Sequence, residues 1–182
     1  MALQKAMVSS KSNEWSTPYT LFDRLNAEFN FTLDPCSNNG NAKCKKFYTQ
    51  KENGLSQDWS KDIVFMNPPY GGNTGKWIRK AYEESLKGAT VVCLIVSSTD
   101  RSYWHDYIFP YAQEIRYIKG RLKFGGMQTT APFASAIIIF KRDDCGGNLL
   151  SPKVRSIDTH NSDYAVPSST SPKFFASQKT LA

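Results

Sequence analysis

The sequence has no run of about eighteen apolar residues, so it holds no conventional membrane-spanning helix. A secretory leader needs a basic stub followed by an apolar stretch, whereas Met1 to Ser12 mixes polar and charged residues. A soluble cytoplasmic protein is therefore expected. The four cysteines, Cys36, Cys44, Cys93 and Cys145, include no C-x-x-C pair, which leaves neither a zinc-ligand signature nor a dense disulfide framework. Reduced thiols and no metal are expected. No repeat or heptad pattern is present. Acidic residues are also scarce beside basic ones, 16 against 23, and the resulting net charge of +7 favours a polyanionic partner.

With 182 residues, 40% of them hydrophobic, the chain suits one globular domain with a single core. Ser16-Thr17 ahead of Pro18 reads as a helix start, with a hydroxyl cap and proline at the first helical position. Leu21, Phe22, Leu25 and Phe29 follow at helical spacing. Phe31 to Asp34 reads as a short strand ended by Pro35. The polar, basic stretch Asn38 to Gln57 reads as loop with at most one short helix. Ile63 to Met66 is a buried strand entering the rigid turn Asn67-Pro68-Pro69.

From Thr74 to Lys87, Trp77, Ile78, Ala81, Tyr82 and Leu86 share one helical face. Lys76, Arg79, Lys80, Glu83, Glu84 and Lys87 take the other, and Gly88 closes the helix. Thr90 to Val96, with Cys93 in its core, reads as a central parallel strand covered on both faces. Ser102 to Tyr111 reads as a short helix broken by Pro110, and Glu114 to Ile118 and Ser135 to Phe140 as further strands. The alternation predicts an α/β sheet with crossover helices. Beyond about Asp144 glycine, serine and proline dominate, so the chain divides into an extension over 1–14, a domain over 15–144 and a flexible tail over 145–182.

The segment with most chemical content is Ile63-Val64-Phe65-Met66-Asn67-Pro68-Pro69-Tyr70. Ligands of open α/β sheets bind beyond the carboxyl ends of the strands, where this sequence delivers an asparagine, two prolines and an aromatic ring. An exocyclic adenine amine is a poor nucleophile, because its lone pair is delocalised into the ring. Asn67 through its side-chain oxygen and Pro68 through its carbonyl can accept both amine hydrogens and favour a more tetrahedral nitrogen. Pro68 and Pro69 restrict the loop, so the acceptors are aimed before substrate arrives. Tyr70 offers a face on which a base turned out of the duplex can stack. The competing reading is a proline-rich turn whose tyrosine simply packs.

With these residues in view, the chain resembles the phage-type DNA N-6-adenine methyltransferases over roughly Trp15 to Phe140. Trp15-Ser16-Thr17-Pro18, Phe31-Thr32-Leu33-Asp34-Pro35-Cys36, Asn41-Ala42-Lys43-Cys44 and Gly54-Leu55-Ser56-Gln57-Asp58-Trp59 carry the likeness. So do Asn67-Pro68-Pro69-Tyr70 and Lys119-Gly120-Arg121-Leu122-Lys123-Phe124. The resemblance implies a Rossmann-like S-adenosylmethionine-dependent fold, with a mostly parallel central sheet and flanking helices. It also implies action in a bacterial host cytoplasm if the protein is phage-encoded.

By the same resemblance, Trp15, Thr17 and Pro18 approach the methionine portion of the cofactor. Asp34, Pro35 and Cys36 form the first cofactor loop, and Asn53 and Leu55 lie near the cofactor's adenine. The first loop departs from glycine-rich cofactor loops, with glycine only at Gly40. Glu52 and Asp58 are the only candidates offered for the ribose hydroxyls. Asp34 alternatively caps a turn.

Candidate DNA contacts are Arg101 and Trp104 after the strand Thr90 to Val96, and Arg121, Lys123 and Phe124 near the next strand junction, which set cations beside aromatic rings. Trp104 alternatively belongs to the core. No protein partner and no membrane contact are indicated. Two other functions fit the same motif less well. One is a methyltransferase acting on an RNA base or a protein glutamine; the other is a nucleic-acid-binding module without catalysis.

Overall fold

The structure, a computed structural model, describes residues 15–125, 127–142 and 152–158. Its order is α1 (Tyr19–Phe29), β1 (Leu33–Asp34), β2 (Lys46–Phe47), a 3-10 turn (Gly54–Ser56), β3 (Ile63–Met66), α2 (Thr74–Leu86) and β4 (Thr90–Val96). A π turn over Trp104–Ile108 then leads into α3 (Phe109–Tyr111), β5 (Glu114–Lys119), β6 (Ser135–Phe140) and β7 (Lys153–Asp158). No described helix is long and apolar enough to cross a membrane.

The strands form one sheet in the order β2-β1-β3-β4-β6-β5-β7. β1 with β2, β1 with β3, β3 with β4 and β5 with β7 are parallel. β6 runs the other way and pairs antiparallel with both β4 and β5. The expected mostly parallel sheet is thus only partly so. β6 follows β5 through a loop with no crossover helix, and a direct return of that kind permits only antiparallel pairing.

β4 sits at the centre as its composition predicts. Val91, Cys93 and Ile95 enter the core that holds Trp59, Trp77, Ile78 and Trp104, while Val92 and Leu94 enter the core that holds Leu21, Phe22, Leu25 and Phe65. Both faces are covered, so the continuous apolar run is what the position requires.

Several local readings change. Pro18 stands just before α1 at φ −58° and ψ 136°, and no side chain caps that helix. The Thr17 hydroxyl is used elsewhere, as described below. Pro110 does not break its helix. Proline has no N–H to return to the carbonyl four residues back, and the π winding ahead of it absorbs the mismatch. In α2, Leu86 is 52% exposed and Glu84 fully buried, the reverse of the expected faces. Glu84 is tied down by the Trp59 N–H at 2.8 Å and by Lys80 and Lys87 at 2.7 Å each. Those donors offset the cost of burying a carboxylate and pin the Gly54–Trp59 segment to α2.

The tail also needs correction. Lys153–Asp158, placed in the flexible segment from its composition, is the edge strand β7. Its neighbours supply what the local sequence lacks: a full parallel ladder on β5, a bond from Arg24 Nη1 to the Asp158 carbonyl at 2.9 Å, and an apolar site for Ile157. The extension over 1–14 and the remainder of the tail, 143–151 and 159–182, lie outside the described residues. Ile157 is only 3% exposed. Ile157→Ala in the full chain is expected to destabilise the fold by about 2 kcal/mol, the low end for a buried isoleucine because β7 is an edge strand. An unchanged denaturation midpoint would show that β7 does not complete the core.

Candidate active site

β1 and β3 are adjacent and parallel, so their carboxyl ends open on the same side of the sheet. A cleft there is lined by Ser16, Thr17, Asp34, Cys36, Ser37, Asn41, Lys43, Phe65 and Asn67. Asp34 ends β1 and is 4% exposed. Its carboxylate accepts the Lys43 N–H at 3.0 Å and the Cys36 N–H at 3.5 Å. Burial pushes its pKa up to about 6, a rise that these two backbone donors partly oppose. The neighbouring Cys36 thiol is held well above its ordinary range, by burial first and by Asp34 second. Asp34 is therefore a carboxyl poised near neutrality in the cleft.

Asn67 follows β3 directly. Its Nδ2 donates to the Trp15 carbonyl at 2.6 Å and to Thr17 Oγ1 at 3.0 Å. The Trp15 carbonyl can only accept, which settles which end of the amide is nitrogen. Asn67 Oδ1 is buried and has no hydrogen-bond partner among the described residues. The loop beyond it is closed by a side chain that the sequence did not single out. Thr74 Oγ1 donates to the Pro69 carbonyl at 3.3 Å and accepts the Gly71 N–H at 3.2 Å, fastening Asn67 to Tyr70 onto the start of α2.

The Tyr70 ring is buried and meets Phe124 and Phe133 edge-on, at 6.1 and 5.5 Å between centroids. Trp15 meets the same two rings edge-on at 5.4 and 5.2 Å. Phe124, expected on the DNA-facing surface, is 1% exposed and belongs to this aromatic cluster instead. Trp104 is also corrected: it is fully buried and stacks on Tyr117 across the sheet from the cluster. Trp104 opens the π turn and Phe124 lies in the loop after β5, and both side chains pack inward. Arg121 and Lys123 remain exposed and border a second cleft with Pro18, Thr20, Leu21, Leu122 and Thr130. Arg101 is exposed.

The 3-10 turn docks on the loop after β1. A Cβ on Gly54 would lie 1.9 Å from the Pro35 carbonyl oxygen, so only glycine allows this approach, and Trp59 Nε1 donates to the Gly54 carbonyl at 3.0 Å. Asn53 is exposed at φ 53°, and Leu55 packs against the core. Glu52 bonds the Thr49 N–H and hydroxyl, and Asp58 the Ser60 N–H and hydroxyl, so both candidates for the ribose are engaged in their own turns. Ser16, Ser37, Asn41, Lys43 and Phe65 also line the first cleft. Ser16, Asn41 and Lys43 fall in segments that carry the family likeness, whereas Ser37 and Phe65 were not singled out as cleft residues by any local pattern. No group of three or more His, Cys, Asp or Glu able to hold a metal occurs among the described residues.

The profile of the DNA N-6-adenine-methyltransferase (Dam) family matches residues 4–176. The chain belongs to this family. Among its relatives, the DNA N-6-adenine-methyltransferase of Haemophilus phage HP1 is 32% identical over 123 residues, which cover 66% of this chain and 70% of that one. The DNA N-6-adenine-methyltransferase of Escherichia phage T1 is 28% identical over 110 residues, 59% of this chain and 45% of that one. Family membership makes the chain a methyltransferase and agrees with a Rossmann-like arrangement of sheet and helices.

Tyr70 Oη is buried without a hydrogen-bond partner among the described residues. Tyr70→Phe should therefore leave stability unchanged or raise it by up to about 1 kcal/mol, since the variant removes an unsatisfied hydroxyl. Tyr70→Ala, which empties the space beside Phe124 and Phe133, should cost about 3 kcal/mol. Urea denaturation of the two variants distinguishes these outcomes, and a Phe variant weaker by more than about 1 kcal/mol would mean that the hydroxyl has a partner.

Proposed function

We propose that this member of the Dam family transfers a methyl group from S-adenosylmethionine to the 6-amino group of adenine in DNA, in the cytoplasm of a bacterial host, with Asn67 to Tyr70 as its catalytic loop. The observation that carries the reading is the buried Asn67 Oδ1, an acceptor without a partner among the described residues on an amide whose nitrogen is already committed. An unsatisfied buried acceptor is costly. An amine hydrogen of the substrate would satisfy it. With the Pro68 carbonyl as second acceptor, both hydrogens on N6 would be held and the lone pair freed for attack.

The chemistry of the cleft's lining supports assigning it to the cofactor's amino acid end. Asp34 provides a buried carboxylate for an ammonium group, and Ser37 and Asn41 add polar side chains beside it. When bound, S-adenosylmethionine supplies the electrophilic methyl group that the N6 lone pair takes by direct displacement. Trp15 and Pro18 would border the same cofactor, as would Pro35, Cys36, Asn53 and Leu55, whereas the Thr17 hydroxyl is taken up by Asn67. Arg121, Lys123 and Arg101 are the exposed cations suited to phosphates, where each neutralised phosphate adds salt-dependent affinity. Trp104 and Phe124 have no part in this reading because both are buried.

The direct test incubates the full chain with radiolabelled S-adenosylmethionine and mixed-sequence DNA, then identifies the labelled nucleoside, which should be N6-methyladenosine in its deoxy form. Asn67→Ala should lower the single-turnover rate by about 10²–10³ with cofactor affinity retained, and a variant keeping a tenth or more of the rate would remove Asn67 from the chemistry.

The pH dependence of cofactor binding tests Asp34. Its carboxyl is charged only above about pH 6, so affinity for S-adenosylhomocysteine should weaken as pH falls from 8 to 5, and Asp34→Asn should flatten that profile. Protonation does not unfold the protein through this group. Its folded pKa is raised, so the strain of burying the charge is relieved as pH falls. An unchanged titration profile in the variant would detach Asp34 from the ammonium.

A further inference from the structure

Thr17 lies on the strap Trp15–Pro18, where it reads from the sequence as part of a helix start and by resemblance as a cofactor contact. The structure places its hydroxyl on Asn67 instead, as an acceptor 3.0 Å from Nδ2, with Thr17 itself only 4% exposed. The strap is held from its other side. The Trp15 ring packs on Phe124 and Phe133, and the Ser16 carbonyl accepts the Gly125 N–H at 2.8 Å. Gly125 turns there at φ +38°, and a Cβ on it would come within 3.1 Å of the Ser16 side chain. The loop after β5 and the strap therefore form one packed unit over the end of β3.

A terminal amide has a broad, two-fold torsional preference, so an unclamped asparagine presents its oxygen and its NH2 group in comparable amounts. Only the oxygen can accept a hydrogen from an amine. Turning Asn67 over would put Oδ1 against the Trp15 carbonyl, acceptor facing acceptor, and of the two bonds from Nδ2 only the one to Thr17 could be remade, by the hydroxyl donating. The backbone carbonyl forbids the wrong orientation, and the threonine hydroxyl takes the second hydrogen of the right one.

We infer that Thr17 is a positioning residue for the transfer step, which acts by holding the Asn67 amide with its oxygen toward the substrate amine. This rests on the proposed adenine methylation and adds to it a residue whose effect lies on the rate rather than on cofactor affinity.

Thr17→Val keeps the shape and removes the acceptor; Thr17→Ser keeps the acceptor and removes a methyl group. Both are compared with the unaltered protein for single-turnover methylation at saturating DNA and cofactor, S-adenosylhomocysteine affinity and melting temperature. Thr17→Val is expected to be slower by roughly tenfold, the upper range for one neutral hydrogen bond, with affinity within about twofold and a preserved melt, while Thr17→Ser stays within about threefold of the unaltered rate. Three results would overturn the inference: a Val variant as fast as the unaltered protein, a Val defect abolished by raising the cofactor concentration, or a Ser variant as slow as Val. An unaltered protein that does not label adenine removes the functional reading itself, and that failure is visible before any variant is compared.

Discussion

The commitment of the Asn67 amide connects the separate parts of this molecule. One side chain at the end of a central strand spends both of its donors on the segment before the first helix, and its oxygen is left buried with no partner among the described residues. Everything that places Trp15 and Thr17 consequently bears on that oxygen. The aromatic cluster of Trp15, Tyr70, Phe124 and Phe133 joins the strap Trp15–Pro18, the loop from Asn67 to Tyr70 and the loop after β5 into one packed body. The loop from Asn67 to Tyr70 is restrained from within by its prolines and from without by Thr74.

The sheet gives this body its foundation. A parallel neighbour relation between β1 and β3 brings Asp34 and Asn67 to one edge, so that a carboxyl and an amide from residues far apart in the chain share a cleft. Both groups are held in conditions that water would not impose. Burial raises the pKa of Asp34 to about 6 and Asn67 Oδ1 has no partner among the described residues, costs that the buried core around β4 and β6 offsets. Elsewhere burial of charge is matched by partners. Glu84 has its three donors, and Arg116 is bridged by Glu28 at 2.6 Å through both terminal nitrogens and by Glu114. At the cleft, by comparison, Asp34 accepts only backbone N–H bonds from Cys36 and Lys43, and Asn67 Oδ1 has no partner among the described residues.

Elements whose signal is local were legible in the chain. Ile63 to Met66, Thr90 to Val96 and Ser135 to Phe140 are apolar runs bounded by turn residues, and each is a strand with those limits. α2 follows its apolar spacing up to its last turn, and Gly88 ends it at φ +117°. Asn67-Pro68-Pro69-Tyr70 was legible as a rigid turn at the carboxyl end of a buried strand, which is where the structure has it. Elements that depend on a distant partner were not. β2 and β7 have no apolar pattern and exist because β1 and β5 offer them edges, and Phe124 faces inward although Lys123 before it is basic and exposed.

The amino-acid sequence by itself determined the local pieces: an asparagine followed by two prolines at the end of an apolar run, an aspartate ahead of a proline, and a net charge of +7. Those properties are intrinsic to side chains and to backbone stiffness, and they hold before the chain folds. Tertiary structure alone decided that β6 enters the sheet reversed, that Glu84 is buried and Leu86 exposed, and that Thr17 serves Asn67 rather than the helix beside it. Each of these depends on where a carbonyl, a hydroxyl or an open strand edge from a remote segment comes to lie. A hydrogen bond across 50 residues leaves no periodicity in the sequence from which it could have been read.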